Sequence, residues 1–266
     1  MDVIDIHTHA FPDNLAQRAI ARLEGECPWR AVADGTVGAL LKSMDAAGIA
    51  ASVICNIATK PEQVEPILNW CKTVRSERII PFPSVHPFTV NPMEWFERFR
   101  EAGFMGIKLH PMYQSFAADD AQMDGIYAAA SATGVLIEVH SGCDIAFPLS
   151  DDRASPERLR RVIDRFPKLR LLCTHLGGWQ SWEAVEQCLI GTHVYLETSF
   201  TFAYLGLERT VELMRRHGTD RVLFGTDWPW KAQADEVQTA ARLGLTDAEH
   251  ATLMWRNAAE LLGIRQ

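Results

Sequence analysis

Short apolar runs rich in β-branched residues alternate along the chain with longer amphipathic segments. The apolar runs predict strands at residues 3–6, 51–56, 79–85, 105–109, 135–139, 169–173, 194–197 and 222–224. The amphipathic segments predict helices at residues 36–47, 61–75, 92–102, 120–133, 156–166, 179–189, 207–217 and 234–243. Near-continuous apolar strands that alternate with helices are typical of a parallel sheet with helices packed outside it.

Eight strand–helix units within 266 residues favour an α/β fold, a TIM-type (β/α)8 barrel that forms a single domain over residues 1–266. An open doubly wound sheet stays open as an alternative, although no G-x-G-x-x-G segment follows a predicted strand. Thr246 and Glu249 stand at the spacing of a capping box, which predicts a last helix at about residues 246–262. Residues 14–34 predict a small helix and a loop.

Two histidines follow the first predicted strand in a His7-x-His9 pattern. Side chains at positions i and i+2 of a strand point to the same side. Two imidazoles on one side of a strand are able to reach a single metal ion. The pair therefore predicts half of a metal site at the end of the first strand.

Ligand-type residues recur at the same point of later strand–helix units. They are Lys108, His110, His140, His175 and Asp227. Taken singly, a histidine after a strand is more often a hydrogen-bonded loop residue, a lysine an edge residue and an aspartate a helix cap. Their recurrence at five such positions favours a functional role over these structural ones, because catalytic groups of an α/β barrel lie at the C-terminal ends of its strands. Convergent nitrogen and oxygen donors are what a metal site requires.

Four further segments carry a family resemblance together with the His7-x-His9 pair. They read GIKLHP, EVHSG, THLGGW and FGTDWPW. The set resembles the amidohydrolase superfamily, and within it the amidohydrolase-related branch that includes aminocarboxymuconate-semialdehyde decarboxylase-like enzymes. The resemblance implies a divalent metal, usually zinc, held by four residues: His7, His9, His140 and Asp227. It implies that His175 binds a second metal or hydrogen-bonds the substrate and the metal-bound water.

Lys108 stands where binuclear members of the superfamily carry a carboxylated lysine that bridges two metals. The decarboxylase-like branch does not follow that rule, so the chain departs from its pattern there. An unmodified Lys108 would instead hold a substrate carboxylate as a point charge. One tightly held metal is favoured, and a second, held by His175 and Lys108, stays open. His110 and Trp228 are further candidates for substrate contact, with structural hydrogen bonding and aromatic packing as their alternatives.

The predicted function is a metal-dependent hydrolase that acts on a small amide, ester or lactone through a metal-activated water. A bound zinc ion lowers the pKa of its water to roughly 7. Asp227 would take the proton and deliver it to the leaving group, and His175 would stabilise the oxyanion. The alternative is non-hydrolytic decarboxylation of a small unsaturated or aromatic acid. A non-catalytic metal-binding barrel is disfavoured, because Asp227 and His175 are catalytic-type groups in addition to the ligands that a closed structural site needs.

Composition narrows the range of partners. The net charge is −8, and no basic stripe is present, so nucleic acid is not expected as a partner. No signal peptide and no apolar stretch of roughly 20 residues is visible, so neither export nor membrane insertion is expected. The expected partner is a small-molecule substrate, the expected location is the cytoplasm, and a homodimer is a common default for such enzymes.

Overall fold

Each of the eight predicted strands has a counterpart in the computed structural model, which describes residues 2–264. The strands are β1 (Ile4–Thr8), β2 (Ala51–Cys55), β3 (Ile79–Phe82), β4 (Gly106–Leu109), β5 (Leu136–Val139), β6 (Leu171–Cys173), β7 (Tyr195–Glu197) and β8 (Val222–Leu223). β3 ends three residues earlier than predicted. Pro81 lies within β3 and Pro83 directly follows it, and neither has an N–H to donate to a strand ladder.

The helices also follow the predicted order. They are α1 (Asp13–Glu26), α2 (Val37–Ala47), α3 (Val64–Val74), α4 (Pro92–Glu101), α5 (Asp124–Thr133), α6 (Pro156–Arg165), α7 (Trp182–Cys188), α8 (Thr201–Leu205), α9 (Leu207–His217), α10 (Gln233–Ala240), α11 (Asp247–Ala251) and α12 (Asn257–Leu262). A π-helical turn over Thr252–Arg256 joins α11 to α12. Within the described part of the chain, no helix is long and apolar enough to cross a membrane.

Side chains at the helix ends explain where several helices begin. Thr36 Oγ1 accepts a hydrogen bond from Ala39 N at 3.1 Å and so caps α2. At α11, Thr246 Oγ1 accepts from Glu249 N while Glu249 Oε2 accepts from Thr246 N. This reciprocal pair is the capping box expected from the sequence. α7 begins three residues later than predicted, because Gln180 has a φ of 59° and cannot belong to a helix.

The described chain divides into two compact units. The first comprises residues 2–55, 74–80 and 197–264, and the second comprises residues 56–73 and 81–196. In the first unit, β1 pairs in parallel with β2, with Ile4 opposite Ala51. Ile6 N donates to Phe224 O at 2.9 Å, which brings the end of β8 beside β1. The first unit therefore places the residues that follow β1 and β8 next to each other.

In the second unit, consecutive strands lie side by side and run parallel. β4 pairs with β5 through Gly106 and Leu136, and β5 pairs with β6 through Ile137 and Leu171. β6 pairs in turn with β7. All side chains of β4, β5 and β6 are buried, as expected for parallel strands covered on both faces. Polar residues on these strands are therefore held in fixed, solvent-poor positions.

Candidate functional site

Three donor atoms converge in the first unit. His7 Nε2 lies 3.1 Å from His9 Nε2, and Asp227 Oδ1 lies 3.2 Å from His9 Nε2 and 3.6 Å from His7 Nε2. We refer to these three side chains as the donor trio. Ligands bound at about 2.1 Å to one divalent ion lie about 3.0 to 3.4 Å from each other. Two separations within the donor trio fall in this range and the third, 3.6 Å, is slightly longer. Two nitrogen donors with one carboxylate are a suitable ligand chemistry.

Hydrogen bonds on the far side of each imidazole fix its orientation. His9 Nδ1 lies 2.9 Å from the carbonyl oxygen of Cys55, so this nitrogen is the donor. His7 Nδ1 lies 3.1 Å from Glu197 Oε1. With Nδ1 donating, the lone pair of each ring is on Nε2, which points into the donor trio. Carboxylates and carbonyls commonly orient metal-binding histidines in this way.

Asp227 has an unusual backbone conformation. Its φ is 61°, which a residue with a Cβ rarely adopts. Asp227 N donates to His7 O at 2.8 Å, and His9 N donates to Trp228 O at 2.6 Å. These bonds hold the strained turn against the end of β1 and set the carboxylate beside both imidazoles. Residues with strained backbones concentrate at functional sites.

Asp5 is a buried carboxylate that joins β1 to the Asp227 turn. Its Oδ1 accepts from His7 N at 3.2 Å and from Thr226 N at 3.0 Å. Its Oδ2 accepts from Thr226 Oγ1 at 2.6 Å and from Gln233 Nε2 at 2.8 Å. Burial raises the pKa of Asp5 to about 7 against the lowering effect of these hydrogen bonds. Asp5 therefore fixes the backbone on both sides of the donor trio.

Glu197 supports His7 from the end of β7. Besides its contact with His7, Oε1 accepts from Ser199 Oγ at 2.7 Å, and Oε2 accepts from Ser199 N at 2.6 Å. Gly225 leaves the space that this carboxylate needs, since a Cβ there would overlap Glu197 Oε2. Glu197 is fully buried and rigidly held, which makes it the group that orients His7.

Lys108 lies in the second unit, opposite Glu138 across the β4–β5 pair. Its Nζ donates to Glu138 Oε1 at 2.7 Å, and both side chains are buried. The amine predicted to meet a second metal or a substrate carboxylate therefore has an internal carboxylate as partner. Its predicted metal and substrate roles stay predictions.

A cluster of histidines lies at the ends of β4, β5 and β6 in the second unit. The His110 and His140 rings stack with centroids 4.1 Å apart, and His140 Nδ1 lies 3.2 Å from His175 Nε2. Asp144 Oδ2 lies 3.2 Å from His110 Nε2 and 3.9 Å from His140 Nε2. Burial and the neighbouring His110 and His175 hold the pKa of His140 well below its ordinary value. The neutral imidazole that results is the form that binds metals.

The substrate contacts predicted for His110 and Trp228 stay predictions, and several residues of the site were not predicted. Trp228 is fully buried, and its carbonyl oxygen accepts a hydrogen bond from His9 N. No role was predicted for Asp5, Glu197 or Gln233. Asp5 is a charged residue inside an apolar strand, two positions before His7 on the same face, and this pattern could have indicated its role in the site. Gln233 begins α10 and has no local sequence feature that marks it.

Parallel strands covered by helices, with imidazole and carboxylate donors just after the strands, define a class of α/β proteins suited to holding a divalent cation. The chain belongs to the amidohydrolase family, whose sequence model matches residues 4–264. It is thus an enzyme of the amidohydrolase superfamily, in the amidohydrolase-2 branch expected from the sequence motifs. Comparison with curated proteins found no significant match.

Solved structures similar to this chain confirm the predicted α/β TIM-type barrel. A TIM-barrel protein from Bordetella bronchiseptica matches at a TM-score of 0.77 and 16% identity, covering 99% of both chains. A 2,6-dihydroxybenzoate decarboxylase in complex with 2,6-dihydroxybenzoate matches at 0.76 and 14%, covering 99% of this chain and 100% of the other. A dihydroxybenzoic acid decarboxylase from Polaromonas sp. JS666, with bound manganese and 2-nitroresorcinol, matches at 0.74 and 14%, covering 100% and 98%.

The comparisons correct the predicted reaction. The expectation of a hydrolase acting on an amide, ester or lactone is wrong, because these similar structures with a named activity are decarboxylases of aromatic acids. The error arose because the superfamily motifs specify the metal ligands and not the bond that is broken. Zinc also lacks support, since the metal named in the Polaromonas structure is manganese.

Proposed function

We propose that this protein is a metal-dependent decarboxylase of a small aromatic carboxylic acid. The observation that carries the proposal is the convergence of His7 Nε2, His9 Nε2 and Asp227 Oδ1 within 3.6 Å of one another. Decarboxylases of 2,6-dihydroxybenzoate and dihydroxybenzoic acid have similar folds, which supports an aromatic acid as the substrate class.

The donor trio would hold the metal. A divalent cation supplies Lewis-acid chemistry there, by attracting anionic oxygens of the substrate. The mixed nitrogen and oxygen donors suit manganese or zinc. Glu197 and the Cys55 carbonyl would keep both imidazoles turned towards the ion, and Asp5 would hold the backbone around them. The roles predicted for His140 as a ligand and for His175 near the substrate stay predictions.

The reaction replaces a carboxylate by a proton. A proton is added to the ring carbon that bears the carboxylate, the bond between that carbon and the carboxylate then breaks, and its electron pair returns to the ring. Carbon dioxide leaves, so one proton is consumed for each carbon dioxide released. Asp227 or a histidine would deliver the proton, as general acid catalysis requires. The substrate is a small molecule; the cytoplasmic location and a homodimer stay predictions.

Metal-stripped protein reconstituted with Mn²⁺ or Zn²⁺ tests the proposal against a panel of hydroxybenzoates and unsaturated acids. We expect carbon dioxide release from at least one aromatic acid, dependent on added metal and lost in Asp227→Asn. Asp164→Asn, at a half-exposed carboxylate on α6, is the matched control and should keep full activity. Metal-loaded protein that releases no carbon dioxide from any acid of the panel would contradict the proposal.

A further inference from the structure

We infer that Lys231, together with the stacked rings of Trp29 and Phe200, forms a subsite for the anionic oxygens of an aromatic carboxylate. We call this group the aromatic–lysine subsite. The inference rests on the proposed function, because it names the residues of the first unit that would recognise the acid. It concerns binding of the substrate and adds no chemical step.

The rings of the subsite are held in a defined arrangement. Trp29 and Phe200 stack with centroids 4.3 Å apart and an interplanar angle of 8°. Lys231 Nζ lies 5.3 Å from the centre of the Phe200 ring and 5.9 Å from that of Tyr204. An ammonium group over aromatic faces is stabilised by their negative charge density. The charge of Lys231 is therefore positioned beside a flat aromatic surface.

The charge of Lys231 remains available to a ligand. Within residues 2–264, Lys231 forms no ion pair with a carboxylate. Two acidic side chains, Glu236 and Asp235, follow it on α10. Burial raises the pKa of Glu236, although the charge of Lys231 opposes this shift. The half-buried ammonium lacks a close internal anion, unlike Lys108 with Glu138.

Phe200 connects the subsite to the donor trio. It follows Ser199, whose Oγ lies 3.3 Å from His7 Nδ1. Phe200 has a φ of 55°, a strained conformation for an aromatic residue. The strain is maintained directly after the residue that contacts His7. This is the kind of position at which proteins keep backbone strain for function.

Lys231 is connected to the donor trio from the other side. It follows the tight turn in which Trp230 N donates to Asp227 O at 2.9 Å. The loop that carries Trp29 is tied to the same turn, because Val32 N donates to Pro229 O at 2.8 Å. The ring pair and the ammonium are thus anchored to the backbone segments that carry the donor trio. Phe200 is 3% exposed, so a flat acid bound at this subsite would meet the half-buried Trp29 ring and the charge of Lys231 together.

Binding of salicylate and of its uncharged analogue salicylamide to the manganese-loaded protein tests the subsite by calorimetry. We expect Lys231→Met to weaken salicylate binding by about tenfold, the typical effect of one charge-assisted hydrogen bond. Salicylamide binding should not change, and Lys231→Arg should recover part of the salicylate affinity. Lys168→Met, which removes an exposed lysine elsewhere, is the matched control and should bind as the wild type does.

Equal salicylate affinity in Lys231→Met and wild type would overturn the inference, as would an equal loss for both ligands or no binding of salicylate to the wild type. Thermal unfolding of each variant checks that the fold is retained, and Lys231→Gln, which also removes the charge, takes the place of Lys231→Met if that variant does not fold. The binding measurement needs no turnover. Charge-dependent binding without any decarboxylation would keep the subsite and remove the proposed function. Decarboxylation with an unchanged KM in Lys231→Met would keep the proposed function and remove the subsite.

Discussion

Lys108 Nζ lies 2.7 Å from Glu138 Oε1, and the two side chains face each other across β4 and β5 with 1% and 0% exposure. A carboxylated lysine carries a negative charge and would be repelled by the Glu138 carboxylate at this distance. The pair therefore favours an unmodified amine at Lys108. A charge pair this deeply buried depends on both partners, because each alone would lack water and a counter-charge.

Lys108→Met should destabilise the protein by about 3 to 5 kcal/mol, since it leaves the Glu138 carboxylate buried without its ammonium partner. The double variant Lys108→Met/Glu138→Leu should recover most of that loss, because it removes both charges and keeps the volume. Urea unfolding of the three proteins measures the difference. A Lys108→Met variant as stable as the wild type would show that the pair contributes little.

Glu197→Gln should weaken metal binding by about 10- to 100-fold, the usual effect of losing a carboxylate that orients a ligating histidine. The amide can still accept from His7 Nδ1, but it no longer carries the charge that favours the donating form of the ring. Titration of metal-stripped protein with Mn²⁺ measures the affinity. Glu77→Gln, at an exposed glutamate, is the control and should bind as tightly as the wild type. Equal affinities for Glu197→Gln and wild type would exclude the orienting role.

Asp5 should make stability depend on pH. Its pKa is raised from 3.8 to about 7 by burial in the folded protein, so the folded state binds more protons than the unfolded chain between these values. The free energy of unfolding should therefore fall as pH rises through this window, by on the order of 4 kcal/mol. Above pH 7 the contribution of Asp5 should no longer change.

Asp5→Asn should remove this fall, because the amide does not titrate. Gln233 Oε1 has no hydrogen-bond partner within the described residues, so a rotated Gln233 amide would accept from the new side chain. Urea unfolding of metal-stripped wild type and Asp5→Asn at several pH values from 5 to 8 measures the difference in slope. If the free energy of unfolding depended on pH in the same way for both proteins, Asp5 would not be the group that causes the fall.

Much of the fold and part of the site were predictable from the chain. The predicted strands are near-continuous apolar runs that alternate with helices, so their burial in a parallel sheet followed from this hydrophobic pattern. The convergence of His7, His9 and Asp227 was predictable because ligand-type residues recur after the strands. The structure adds the separations of 3.1 to 3.6 Å that bring the three donors to one point.

The supporting residues were not predictable, because their contacts join distant parts of the sequence. Glu197 meets His7 across 190 positions, and Gln233 meets Asp5 across 228. Only the closure of the first unit brings them together. Lys231 likewise has no sequence pattern that marks it, since its place over Phe200 depends on loop conformation. The reaction was predicted wrongly, because metal ligands alone do not determine which bond is broken.

Turnover of an aromatic acid in D₂O, followed by NMR of the product, tests whether the donor trio supports metal-dependent decarboxylation. We expect a product that carries one deuterium on the ring carbon that lost its carboxylate. It should form only with a divalent metal bound, and it should be absent from Asp227→Asn. A product that keeps the carboxylate, or equal deuterium incorporation after removal of the metal, would contradict metal-dependent decarboxylation at the donor trio.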